Sequence, residues 1–249
     1  MTDAPAAQAP ATAPKAERIK THVIGLDDKM EGGIPANYIV LVCGHAGTMK
    51  SSFTFSLLYN GHKERNMKGI YLTLEQSKQS IVEHMGKLGM DPRGMDNLIV
   101  VDLGRVRKEI AYDKTKPQNV DWLKSILGVL KNYKDKFGCE VLVLDSLAAL
   151  YALTTFKNPR AELFYFFEQV RDLGVTTFLI SEMPTDRQVY GLYGIEDFLS
   201  DGIIQLKVEL HETGANLYVG VVKMRKTKHD RSFFPLIFES GRFEIVTST

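Results

Sequence analysis

Cysteine is scarce in this chain of 249 residues: Cys43 and Cys139 are the only two, and they form no C-x-x-C pair. A disulfide framework is thereby excluded, and each is expected as a small core residue of a protein kept in a reducing compartment. A run of about 18 apolar residues is also missing, and the opening residues lack the basic-then-apolar order of a secretory leader. The expectation is a cytoplasmic protein with no membrane span. Charge of one sign is not in excess either, because 31 Lys and Arg face 30 Asp and Glu. No global field draws in nucleic acid, so any contact with DNA or RNA would have to rest on a local patch.

Hydrophobic residues make up 44% of the chain, enough for one α/β domain with a large core. Residues 1–16 (MTDAPAAQAPATAPKA) are rich in Ala and Pro and carry too little apolar surface to offset the entropy of ordering. We therefore expect a disordered tail over 1–18 and one folded domain over 19–249. Within the domain, short apolar runs alternate with stretches of helical length. The runs are YIVLVC (38–43), GIYLTL (69–74), LIVVD (98–102), EVLVLD (140–145) and TTFLIS (176–181); the stretches are 50–60, 77–88, 119–136 and 159–173. Near-continuous apolar strands belong to a sheet covered on both faces, and strand–helix–strand repetition predicts a doubly wound, mostly parallel sheet. In the last helical stretch Leu163, Phe164, Phe167 and Val170 recur at helical spacing and are expected to face that sheet. After residue 200 the strands crowd together as IIQLKVEL, NLYVGVVKMR, FFPLIFE and RFEIV, with turns at Thr213-Gly214-Ala215-Asn216 and Ser240-Gly241. This pattern predicts a C-terminal antiparallel extension of the same sheet. The polar stretch 104–118 reads as a surface loop.

The first long apolar run leads directly into GHAGTMKSS and then a helix, the context that gives a glycine-rich loop its meaning. Such a P-loop curls so that the backbone of Gly44, His45, Ala46, Gly47, Thr48 and Met49 and the first helical turn at Lys50, Ser51 and Ser52 surround a nucleotide's phosphates. Lys50 would reach their outer oxygens and Ser51 would offer a hydroxyl to Mg²⁺. Gly44 and Gly47 permit close backbone approach. The Walker A pattern G-x-x-x-x-G-K-[ST] is broken by Met49, which stands where the second glycine belongs. That backbone conformation is open to few residues, and the expected cost is roughly 1–3 kcal/mol. ATP binding is expected, and fast turnover is not.

Two more runs end in acids. EVLVLDSLAAL ends its apolar run in Asp145 beside Ser146, a carboxylate suited to Mg²⁺. GIYLTLEQS ends in Glu75 and Gln76, and Glu75 is placed to orient and deprotonate an attacking water. The plainer alternative is a charge serving the start of the helix near Ser77.

The segments GLDDKMEGGIPANYIVLVCGHAGTMKSS, YLTLEQS, VLVLDSLAAL, FLISEMP, YGIEDFLSDGIIQLKVE and VKMRKTKHDRSFFPLIFESGRFEI span about residues 20–247. Together they resemble the KaiC branch of the RecA-like P-loop ATPases, a group that also holds archaeal KaiC-like proteins and the archaellum accessory ATPase FlaH. The resemblance implies a RecA-like fold, ATP with Mg²⁺, and a hexameric ring. In that family two adjacent glutamates follow the matching strand and the first is regarded as catalytic. Glu75 matches it, while Gln76 replaces the second, and an amide positions water without taking its proton. The family's K-x-R segment is similar to Lys223-Met224-Arg225, followed by His229, and in the family these groups reach the nucleotide of the neighbouring subunit. Side chains at i and i+2 of a strand share a side, which suits charge stabilisation across an interface. On the residues alone they read as a solvated basic edge strand. Near Glu196, Asp197 and Phe198 the phosphorylating half of KaiC carries adjacent Ser and Thr acceptors, so no autophosphorylation is expected here, Ser200 being a poor substitute.

Three functions fit. The first is a KaiC-like ATP-binding regulatory protein, a slow ATPase whose nucleotide state controls ring assembly or recruitment of a protein partner. An ATP that touches two subunits stabilises their interface by its extra affinity for the ring. The second is a FlaH-like scaffold of a motility motor with little turnover, favoured by Met49 and Gln76. The third is a RecA- or RadA-like DNA recombination factor; near-neutral charge counts against it, and Lys226, Lys228 and Arg231 are the patch it would use.

Overall fold

The computed structural model describes residues 17–104, 120–186, 189–211 and 214–247. The tail expected over residues 1–16 and all but the first residue of the loop expected over 104–118 lie outside these. Arg18, assigned to the tail on composition, is instead the first residue of strand β1 (Arg18–Ile19), which pairs antiparallel with β2 (Ile34–Pro35). Its guanidinium donates to the Gly33 carbonyl at 2.7 Å and pairs with Glu31, so the fold begins earlier than composition indicates.

The main sheet has nine strands: β3 (Ile39–Gly44), β4 (Gly69–Thr73), β5 (Leu98–Asp102), β6 (Val141–Asp145), β7 (Thr176–Glu182), β8 (Gly202–His211), β9 (Gly214–Met224), β10 (Phe233–Glu239) and β11 (Arg242–Ile245). They lie in the order β11-β10-β9-β8-β3-β7-β6-β4-β5. From β8 to β5 every neighbouring pair is parallel, and β9, β10 and β11 complete the sheet antiparallel. The sheet is therefore RecA-like and doubly wound, as expected, with one refinement. The first strand after residue 200, β8, lies parallel beside β3, so the antiparallel extension begins at β9. Ala215 and Asn216, read as turn residues, belong to β9; Ser240 and Gly241 do form a turn, both with positive φ (48° and 79°).

Alternation along the strands sends side chains to two cores. Val40, Val42, Tyr71, Val143 and Phe178 meet Phe53, Phe55 and Leu57 of helix α1 (Lys50–Arg65) and Ile81 and Met85 of α2 (Lys78–Lys87). Ile39, Leu41, Leu72 and Leu144 meet α3 (Trp122–Phe137), α4 (Leu147–Leu153) and α5 (Pro159–Asp172) on the other face. A short helix α6 (Glu196–Leu199) precedes β8. On α5, Leu163, Phe167 and Val170 are buried as expected, but Phe164 is 46% exposed and Phe166 takes its place at 1%. The sequence stripe erred by one residue; i, i+3, i+4, i+7 from Leu163 gives the buried set. Cys43 and Cys139 are both buried, and burial raises both thiol pKa values. Among the described residues no helix is long and apolar enough to cross a membrane.

Candidate nucleotide site

The strand order brings the glycine-rich loop and three acids together at the carboxyl ends of the parallel strands. Gly44 of β3 lies opposite Glu182 of β7, and Thr73 of β4 opposite Asp145 of β6, with Glu75 just beyond β4. Open α/β sheets bind ligands at this edge. A cleft of about 380 Å³ opens there, walled by the 46–52 loop and helix start, by Glu75, Gln76, Asp145, Ser146 and Glu182, and by His84, Met85 and Leu88.

The loop has no room for a side chain at Gly44, whereas the space around Gly47 is open and only its backbone conformation favours glycine. A Cβ on Gly44 would sit 2.3 Å from the Leu206 carbonyl oxygen of β8 and 2.6 Å from Thr48 Oγ1. Gly47 adopts φ +82°. Thr48 Oγ1 donates to the His45 carbonyl at 2.8 Å, and His45 Nδ1 lies 3.1 Å from the Met183 carbonyl. Met49 adopts φ 59°, ψ 26°, the left-handed conformation that a glycine would take without cost. For a residue with a Cβ this costs about 1–2 kcal/mol, partly offset because the thioether packs against the α1 core. The first turn of α1 holds no acidic residue, which leaves its N–H groups to an anion. Lys50 Nζ folds back on the carbonyls of Gly44 (3.0 Å) and His45 (2.8 Å). Burial lowers its pKa, against the pull of Glu182 and Asp145.

On the acidic side, Asp145 accepts a hydrogen bond from the Tyr71 hydroxyl, and the nearby Ser51 hydroxyl helps to hold its pKa down. Burial nevertheless raises its pKa, and pushes that of Tyr71 well up. Glu75 Oε1 accepts from Ser146 Oγ at 2.6 Å, and the same hydroxyl oxygen caps α4 by accepting from the Ala149 N–H at 3.3 Å. The cap of α2 is Ser77, which accepts from the Ser80 N–H. Glu75 thus faces the cleft and takes no part in that cap. Gln76 Oε1 accepts from Ser80 Oγ at 3.2 Å. The donor set fits Mg²⁺: Ser51 and Asp145 are hard oxygen ligands, and the described residues hold no group of three or more His, Cys, Asp or Glu able to cage a metal alone. Mg²⁺ typically sits on one or two protein oxygens plus substrate phosphates. Glu182 escaped the reading of the sequence, although TTFLISE ends an apolar run in an acid just as EVLVLD does.

Lys223, Arg225 and His229 are not among the residues lining this cleft. Register explains why: Gly202 lies opposite both Val40 of β3 and Met224 of β9, so these cations sit at the amino end of the strands, roughly 13 Å of strand rise from Gly44. Lys223 Nζ donates to the carbonyls of Asp197 (2.6 Å) and Ser200 (2.7 Å). Arg225 bonds Asp201 Oδ1 (2.9 Å) and the Phe198 carbonyl (3.1 Å). The two share one side, as their spacing requires. His229 Nδ1 lies 3.2 Å from the Thr227 carbonyl, and its buried Nε2 has no partner among the described residues. Ser200 is fully buried.

Comparison with known proteins agrees with this architecture. The model of the family described as "ATPase: KaiC" matches residues 19–249. A UPF0273 protein of Aeropyrum pernix is 31% identical over 229 residues, covering 88% of this chain and 89% of its own length. The circadian clock oscillator protein KaiC of Prochlorococcus marinus is 27% identical over 226 residues, 88% of this chain but 44% of the relative, so the chain spans less than half of that protein. A solved KaiC-like protein from Pyrococcus horikoshii superposes with a TM-score of 0.79 at 24% identity, over 94% of this chain and all of that one. With its family match running from the first strand to the last residue, the chain belongs to the KaiC ATPase family.

Proposed function

We propose that this protein is a slow ATPase whose bound Mg-ATP controls assembly into a ring or recruitment of a partner protein. The separation of charges supports this most directly. Among the described residues, Glu75, Asp145, Glu182 and one lysine, Lys50, line the cleft at one end of the sheet, while Lys223 and Arg225 stand at the other. Phosphoryl transfer is accelerated by cations on the developing charge, and a neighbouring subunit is the natural source of a second one. In this reading Lys50 leaves the carbonyls of Gly44 and His45 for the outer phosphate oxygens, and the loop N–H groups cradle the rest. Ser51 and Asp145 hold Mg²⁺, which neutralises phosphate charge. Glu75, oriented by Ser146, positions a water and takes its proton. Lys223, Arg225 and His229 act on the neighbour's nucleotide. Met49 in its left-handed conformation and the neutral Gln76 both argue for slow turnover.

The same two residues favour a second reading, a FlaH-like scaffold that binds ATP with little hydrolysis. Phosphate release from wild type and Glu75→Gln separates them: equal, near-background rates remove the enzyme. Molar mass with and without Mg-ATP tests the switch, and an ATP-dependent rise to a ring that Lys50→Ala abolishes is the expected result. Lys226, Lys228 and Arg231 are exposed, and retention on single-stranded DNA at physiological salt would redirect the reading to recombination.

A further inference from the structure

Glu196 is a fully buried carboxylate to which ATP hydrolysis by the cleft assigns no task. Its Oε1 accepts from the Tyr151 hydroxyl at 3.0 Å and the Tyr193 N–H at 3.1 Å, and its Oε2 from the Ile195 N–H at 3.0 Å. The surroundings are shaped around it, since a Cβ on Gly191 would lie 2.4 Å from the Glu196 carboxyl carbon. Tyr151 is held in turn by edge contacts with Tyr193 (ring centroids 5.0 Å apart) and Phe156 (5.7 Å). A charge withdrawn from water is tolerated only when bonded this fully, and such networks hold the elements they connect in one arrangement.

The connected elements are the two functional ends of the molecule. Tyr151 belongs to α4, whose first turn is capped by Ser146, the residue bonded to Glu75 in the phosphate cleft. Glu196 opens α6, and the carbonyls of Asp197, Phe198 and Ser200 together with Asp201 hold Lys223 and Arg225. We infer that the Tyr151–Glu196 hydrogen bond is a positioning contact that couples each subunit's own phosphate cleft to the cations it presents to the next subunit. This rests on the trans role of Lys223 and Arg225 given under Proposed function. A change at the Glu75–Ser146 bond moves the start of α4; Tyr151 carries it to α6, and α6 sets how firmly the two cations are held back. Neither Tyr151 nor Glu196 touches the nucleotide.

Tyr151→Phe removes the hydroxyl and keeps the ring contacts; Glu196→Gln keeps the shape and removes the charge. Both are measured as full-length chains with Mg-ATP. We expect unchanged subunit affinity for ATP and a melting temperature lowered by a few degrees, since a buried bond is lost, with kcat for phosphate release shifted between about 2- and 30-fold and KM unmoved. The decisive measurement mixes Tyr151→Phe with Glu75→Gln subunits, whose amide oxygen still accepts from Ser146 Oγ and so leaves the start of α4 in place while the base is lost. If the kcat shift is a loss that lies in cations delivered to the neighbour, a Tyr151→Phe cleft regains wild-type rate beside a Glu75→Gln subunit, at about a quarter of sites in a randomly mixed ring. Unchanged kcat in both variants, or a loss that mixing fails to restore, overturns the inference while leaving the ATPase reading intact. A wild-type chain that neither assembles nor hydrolyses ATP overturns both. Should Tyr151→Phe fail to fold, Glu196→Gln takes its place in the mixture, and restored or unrestored rates carry the same meaning.

Discussion

The two ends of the parallel sheet solve opposite problems with charge. At the carboxyl end, Asp145 is buried against the Tyr71 hydroxyl with no ion pair to a cation among the described residues, and Lys50 rests on neutral carbonyls; burial disfavours the charged form of each. At the amino end, Asp201 is matched by Arg225 at 2.9 Å and Arg171 at 3.3 Å, and Lys223 is bonded to two carbonyls. One end is incomplete until a charged ligand arrives. The other is complete already and must surrender bonds before it can act on anything else. On the function proposed above, a fold that keeps these conditions apart would make a lone subunit a poor catalyst.

The sharpest way to break this contrast is at Glu75. Glu75→Gln should lower phosphate release by about 10²–10⁴-fold with ATP affinity retained, the usual range for a lost general base. A smaller fall would mean that the carboxyl end works without its base. Next in size is Asp145→Asn. In the absence of nucleotide and Mg²⁺ it should raise the melting temperature by a few degrees, because a buried carboxylate disfavoured by desolvation is replaced by a neutral amide. The same variant should lose the stabilisation that Mg-ATP confers, and a wild type more stable than the variant without ligand would contradict the idea of an incomplete end.

Met49 sharpens the comparison from the loop side. Both Met49→Gly and Met49→Ala lose the thioether packing, but only glycine relieves the left-handed backbone, so chemical denaturation should find Gly more stable than Ala by roughly 1 kcal/mol. The smallest effect is expected at the far end of α1, where His22 Nδ1 lies 3.1 Å from Glu64. Burial lowers the His22 pKa from its ordinary 6.5 despite Glu64 and Asp27, so the fold favours the neutral imidazole. That contribution is present above pH 6.5 and is lost as pH falls through the depressed value. His22→Asn suits the left-handed φ of 57° and should flatten the loss of thermal stability between about pH 7.5 and about pH 5.5.

Much of this was legible because apolar runs report burial directly. Leu98–Asp102 is a strand with the bounds its composition indicates, and the loop, Asp145 and Glu75 follow from runs that end abruptly in polar residues. What stayed hidden depends on partners distant in the chain. No local pattern says that Gly202–His211 pairs parallel with β3 before β9 pairs antiparallel with it, because pairing direction is a property of two strands. Leu147–Leu153 is too short to show a helical period. The positions of Lys223 and Arg225 relative to the cleft required the register across three strands, while their shared side required only their spacing.

The close approach of Gly44 to Leu206 gives β8 a double duty. Its middle forms the rear wall of the phosphate loop, and its start is hydrogen-bonded to the segment that bears Lys223. The span between grip and outward reach is therefore graduated in peptide units like marks on a ruler. Substitutions can change what stands at each mark, but only inserting or deleting residues, in steps of about 7 Å per pair, can change the span itself.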